Sequence, residues 1–337
     1  MRGLRSLLWK EWRQYRMSFL LAFIIISWEP VLVSYLVYRT SDRADAWSDI
    51  IVNILASGSS NTEYSAMVVA VMLAAFMLAG ERDKSLNYLV STPVSRREIV
   101  LAKYISGSLA LTAIMLIISL FFLILGQLLP AQYSIQEVIQ WFILTTAALL
   151  SLFSLALLVA SFSRGILFSS LLTALILALP GMMISLTLQV LRQFYQVSAA
   201  LEFKAHYIVT YLFIPDYIIR GGRYIQSSNS NLVINRINPD YPIEVGVLLI
   251  ASFLFLGLAI EIFEKNPLER QGELLFFGNF KQIGMIFIAF LSAMVWAGQM
   301  AASLVLFLVY FLIMWLGIYL AMVNLIRLIN LIRYGQV

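Results

Sequence analysis

Residues 138–161 read VIQWFILTTAALLSLFSLALLVAS, twenty-four residues without one charged side chain. An α-helix rises 1.5 Å per residue, so this run is about 36 Å long. That is enough to cross a hydrocarbon core about 30 Å thick. Comparable runs lie near 17–38, 62–80, 103–129, 166–189, 243–263, 282–298 and 300–326. The 337-residue chain is 61% hydrophobic and 12% charged, against about 45–50% and about 25% in an ordinary globular domain. Lipid accepts that surface only if every backbone polar group is bonded internally, which leaves helices or a closed barrel. Barrel strands would alternate in segments of about ten residues, and these runs do not. The expectation is an all-α integral membrane protein, a polytopic helical bundle.

The connections sharpen this picture. The third and fourth spans are joined by the segment Pro130 to Glu137, the fourth and fifth by little more than Arg164-Gly165, and the last two meet at Gly298-Gln299 as a tight hairpin or a partly re-entrant unit. Lysine and arginine sort by side. Sixteen of the 23 fall on one face: five within residues 2–16, then Arg82, Lys84, Arg96, Arg97 and Lys103, then Arg164, Lys265, Arg270, Lys281, Arg327 and Arg333. Short basic loops stay cytoplasmic, so both termini are expected inside a multi-pass cell (plasma) membrane protein. The stretch 190–242 is then external, with the short apolar run Tyr207–Pro215 lying at the interface or re-entering.

Other chemistries find little support. Cysteine is absent and His206 is the lone histidine, so thiolate metal sites are excluded and no triad is in view. The charge of +5 sits beside apolar spans, which points to membrane orientation rather than nucleic acid. No catalytic residue, cofactor site or metal site is assigned, and no cleavable signal peptide is expected.

Two segments carry polar information. Residues 1–16 read as an amphipathic interfacial helix, with Leu4, Leu7, Leu8, Trp12 and Tyr15 on one face and Arg2, Arg5, Arg13 and Arg16 on the other. Such a helix meets anionic lipid through its cations, although Glu11 falls inside the apolar arc. The second segment is Gly80-Glu-Arg-Asp-Lys-Ser-Leu-Asn-Tyr-Leu-Val-Ser-Thr-Pro-Val-Ser-Arg-Arg-Glu-Ile-Val-Leu-Ala-Lys103. Leu86, Tyr88 and Leu89 make a short amphipathic turn, and Pro93 disfavours helix at Thr92. Ser95-Arg-Arg-Glu98 is a capping box opening the next helix.

This second segment resembles the intracellular coupling-helix loop of type-2 ABC exporter permeases, with Ser91 to Lys103 the closest part. Lys10-Glu11 is similar to the Lys-Glu of that family's elbow helix, and Tyr211–Ile218 to the segment between its fifth and sixth spans. The resemblance covers roughly the first 265 residues. It implies an N-terminal elbow helix (1–16), a six-span exporter core (17–265) with coupling loop 81–98, and beyond it a linker with a C-terminal two-helix hairpin (266–337). It further implies a non-catalytic permease paired with a second permease chain and with ABC ATPase subunits that bind ATP and Mg. The ATPase would dock on Glu81, Arg82, Lys84, Leu86, Leu89, Arg96, Arg97 and Glu98, together with Lys10 and Glu11. No glycine-rich turn ending in Gly-Lys-Ser/Thr occurs in this chain, so the nucleotide site belongs to another polypeptide.

Glu29-Pro30 lies deep in the first span, as a kink with a paired acid or as part of a translocation path. Pro180-Gly181 reads as a kink or a close helix contact. The alternative function, an ion-gradient-driven secondary transporter, usually brings repeated halves and several intramembrane ionisable groups. Only Glu29 is counted as deep. Few buried charges favour a hydrophobic or amphipathic cargo.

Overall fold

A computed structural model of the chain describes residues 2–40, 51, 54–55, 61–82, 95–128, 133–195, 214–219, 224–225, 233–234, 241–265, 278–300 and 303–334. Its helices are α1 (Arg2–Ser27), a π-helical turn (Trp28–Val33), α2 (Ser34–Thr40), α3 (Asn61–Arg82), α4 (Arg96–Leu128), α5 (Ile135–Phe162), α6 (Ile166–Phe194), α7 (Ile214–Ile219), α8 (Tyr241–Lys265), α9 (Gly278–Met300) and α10 (Leu304–Tyr334). Among the described residues seven helices are long and apolar enough to cross a bilayer, and the apolar part of α9, Gly284–Met300, is shorter. The protein is an all-α polytopic membrane protein. A two-residue ladder, β1 (Tyr224–Ile225) against β2 (Val233–Ile234), pairs antiparallel with Tyr224 opposite Ile234.

The chain divides into two compact units, Met1–Leu177 with Thr210–Leu274, and Ala178–Val209 with Leu275–Val337. In the first, α5 is the central post: 78% of its spanning window is buried, and α3, α4, α7 and α8 all pack on it. The uncharged run 138–161 is thus apolar for two reasons, protein on most sides and lipid on the rest. Outer faces stay apolar too, with Leu109, Leu116 and Leu120 of α4 and Ile250, Phe253 and Leu254 of α8 exposed. Water would penalise such surface; acyl chains do not. Serine and threonine hydroxyls turn back on their own helices, Ser119 to the Met115 carbonyl at 2.8 Å and Thr173 to that of Ser169 at 2.7 Å. Tyr104, Ser154 and Ser252 join α4, α5 and α8, the Ser252 hydroxyl lying 3.1 Å from that of Tyr104 and 2.8 Å from that of Ser154. Polar side chains in spans are commonly used in this way, as interhelical bonds.

The turn between α5 and α6 is tight because Gly165 takes φ +81°, a left-handed conformation costly for any side chain. The Ser163 and Ser169 hydroxyls close it at 2.7 Å. In the second unit the end of α6 joins α9 and α10 through aromatic rings. Phe194 meets Phe307 at 5.8 Å, Phe307 stacks on Phe311 at 6.0 Å, and Phe290 stands edge-on to Phe311 at 5.2 Å. α6 continues through Pro180. At Gly181 no described residue would lie within 4 Å of an added Cβ.

Residues 2–16 differ from the expected separate elbow. They are the first part of α1, which runs unbroken to Ser27 because neither proline nor glycine occurs from Leu4 to Glu29. Their faces differ as well. Leu7, Glu11, Tyr15, Phe19, Ala22 and Ile26 point inward at helical spacing, while Trp12 is 52% exposed. An apolar arc alone does not distinguish a lipid-facing side from a protein-facing one. At Pro30 the ring clashes one turn back and offers no N–H. The helix absorbs this as the π turn, with the Ser34 amide reaching back to the Glu29 and Val31 carbonyls.

Candidate functional site

In the first unit the described basic residues of α1 and of the start of α4, with Lys265 of α8, gather at one end, where α1 starts, α3 ends, α4 starts and α8 ends. At the head of α4 the capping box forms as read. The Ser95 amide donates to Glu98 Oε2 at 3.1 Å, and the Glu98 amide donates to Ser95 Oγ at 3.2 Å. Arg96 Nη1 donates to the Glu264 carbonyl at 2.9 Å, and Arg97 Nε to the Glu264 carboxylate. The start of α4 is therefore tied to the last turn of α8. Lys265 pairs with Glu261 one turn back at 2.6 Å. These pairs face solvent, where ion pairs contribute little to stability, and their effect is to set position. Lys84, Leu86 and Leu89 lie outside the described residues, as does His206; Glu81 and Arg82 close α3, with their side chains likewise outside.

One turn to two turns further into the bundle the charges are buried. Lys103 Nζ of α4 lies 3.1 and 3.3 Å from the two carboxylate oxygens of Glu11 on α1, and the two residues are 0% and 1% exposed. Lys10 Nζ, at the rim, reaches the same carboxylate at 3.3 Å. Tyr15, one turn along α1, places its ring 5.3 Å from Lys103 Nζ, a cation–π contact. Its hydroxyl donates to the Met77 carbonyl of α3 at 3.3 Å. Glu11, misplaced on a surface helix, is thus a core acid with a buried counter-ion. Lys10 stays at the surface, and Arg13 and Arg16 are exposed beside it.

The opposite end holds a second group of acids, Glu29, Glu63 and Glu244 among them. Glu29, within the π turn, accepts from the amide and hydroxyl of Thr62, the hydroxyl at 2.7 Å. It caps the first turn of α3, a favourable position for an anion. Glu63 beside it is buried; Trp141 Nε1 donates to its Oε1 at 3.3 Å, while its Oε2 meets no donor among the described residues. Glu244, in the first turn of α8, is buried too. Glu29 is therefore not the lone deep ionisable group. Sequence reasoning passed over Glu63 because it opens a span, although an apolar span carrying Trp141 needs somewhere to place the indole N–H. A second capping box, Ser134 with Glu137, starts α5. Tyr133 before it donates to the Phe122 carbonyl at 2.8 Å, and burial pushes its phenol up to about 12, so it stays a donor at any physiological pH. Among the described residues no cluster of His, Asp or Glu could hold a metal ion.

For Glu29 the capping geometry sets a clear expectation. Glu29→Ala should lose about 0.5–2 kcal/mol, the usual worth of an N-terminal cap, read as earlier unfolding in detergent. Glu29→Gln keeps an acceptor and should leave transport within twofold of the parent chain; a tenfold loss at unchanged stability would place the acid on the transport path.

Among the described residues of this polytopic helical bundle, the start of the third span is tied by Arg96 and Arg97 to the end of the sixth. The chain belongs to the ABC-2 family of transporter proteins: the model of that family, described as ABC-2 family transporter protein, matches residues 5–268. It is an ABC transporter permease, and such permeases are generally non-catalytic membrane subunits that associate with ABC ATPase subunits. A comparison with curated proteins gives no match.

Proposed function

We propose that this chain is the transmembrane permease subunit of an ATP-driven ABC exporter, working with a second permease chain and with separate ATPase subunits. The ATPase docks on residues 81–98 at the cytoplasmic face of the cell membrane, where both termini also lie. ATP and Mg are bound by the partner alone. The observation that supports this best is the tie from Arg96 and Arg97 to Glu264. It fixes the end of the docking segment to the exit of the sixth span, so a push on the segment is delivered to two spans at once. An apolar groove of about 660 Å³ along α1 and α3, lined by Ala22, Ile25, Val68, Met72 and Phe76 among others, suits a hydrophobic or amphipathic cargo.

Replacing Arg96 and Arg97 by glutamate should reduce ATPase co-purification more than tenfold. Glu264→Gln, which breaks the internal pair and leaves both guanidiniums, should retain it. Transport by the purified chain with no nucleotide-binding partner would instead favour the ion-driven reading, which the buried Glu63 would then serve.

A further inference from the structure

The buried Glu11–Lys103 pair is set where the two ends of the docking segment meet α1. α3 leads into that segment and α4 leads out of it. Met77, whose carbonyl takes the Tyr15 hydroxyl, is five residues before the end of α3 at Arg82. Lys103, which holds Glu11, is seven residues after the start of α4 at Arg96. Both contacts are made by the same stretch of α1, with Glu11 and Tyr15 one helical turn apart. Phe76 adds an edge-on ring contact to Tyr15 at 5.6 Å, so the attachment to α3 is both polar and packed.

A charge pair is a poor choice for stability alone at a fully buried site, because desolvation offsets most of its attraction and well-packed apolar side chains do as well. What it adds is direction and register. Lys103 and Glu11 hold each other only at one relative height of α4 and α1, and an apolar contact would slide. Lys10 at the rim reaches the same carboxylate from the neighbouring position of α1.

We propose that Glu11, Tyr15 and Lys103 are the linkage that carries displacement of the 81–98 segment into the first spanning helix. They act as positioning residues of the transport stroke. This rests on the docking reading above: the segment must be moved by an ATPase for the linkage to have work to transmit. Glu11 then contributes to coupling from inside the bundle rather than by touching the partner.

The test uses the whole transporter, permease and ATPase together, in liposomes. The double variant Glu11→Leu/Lys103→Met removes both charges of the buried pair together. It should bind the ATPase as the parent does and hydrolyse ATP within twofold, while transport per ATP falls at least tenfold. Lys103→Arg should keep most coupling, and Tyr15→Phe, which loses the hydroxyl's bonds to the Met77 carbonyl and from Gln14, should lose about threefold. Unchanged transport per ATP in the double variant would overturn the linkage. A second measurement does not depend on the variants folding. Spin labels on Arg13→Cys and Ser95→Cys, in a chain with no cysteine of its own, should keep one distance as ATP is added. A distance that changes while the ATPase stays bound overturns the linkage alone. Failure of the parent chain to bind any ATPase overturns the exporter reading and the linkage with it.

Discussion

Lys103→Met should be among the most damaging single substitutions in the chain, at about 3–5 kcal/mol. The methionine fits the space, but the Glu11 carboxylate, 1% exposed, is left in the bundle without its buried cation. Lys10 at the rim, 3.3 Å away and 32% exposed, compensates in part, which places the loss toward the lower end. Glu11→Leu should cost a similar amount, since it removes the carboxylate that holds the buried Lys103 ammonium. Removing both charges should recover most of either loss, and a double-mutant cycle by unfolding in mixed micelles measures the coupling. If the two single losses add in the double variant, the residues do not form a pair.

Gly107→Ala should be comparably severe for a purely steric reason. A Cβ there would lie 2.2 Å from Cζ of Phe153 and 2.9 Å from both Cε atoms, within the space of the ring. Phe153 is fully buried on α5 and also lies against Tyr104 at 6.2 Å, so it has no exit. Overpacking of this kind costs about 1–3 kcal/mol and occasionally more, and a full ring overlap belongs at the upper end. Phe153→Leu in the same chain should restore much of the stability by making room. Absence of rescue would mean that α4 and α5 separate in response instead.

How far the sequence could be read follows from which interactions are local. The spans expected at 103–129, 138–161, 166–189 and 243–263 correspond to α4, α5, α6 and α8, because length and hydropathy alone decide them. The Ser95–Glu98 box was legible since its partners are three residues apart. The same spacing in Ser134-Ile-Gln-Glu137 is equally local, but it sits in a short connection where no other signal marks a helix start. Glu11 was visible as an acid in the wrong arc, but its partner is ninety-two residues away, and no periodicity points from one to the other. The same holds for Arg97 with Glu264 and Glu63 with Trp141. In a membrane bundle, hydropathy marks the crossings. The pairing of buried charges depends on which helices touch, and that is decided by shape.

On the proposed function, the joint between the second and third spans faces the cytosol and meets the ATPase there. With no cysteine in the chain, Thr92→Cys gives a single reactive thiol for a membrane-impermeant maleimide. Sealed right-side-out vesicles should leave it unlabelled, and inverted vesicles should label it, with protection when the ATPase is added. Labelling from outside intact cells would contradict the account.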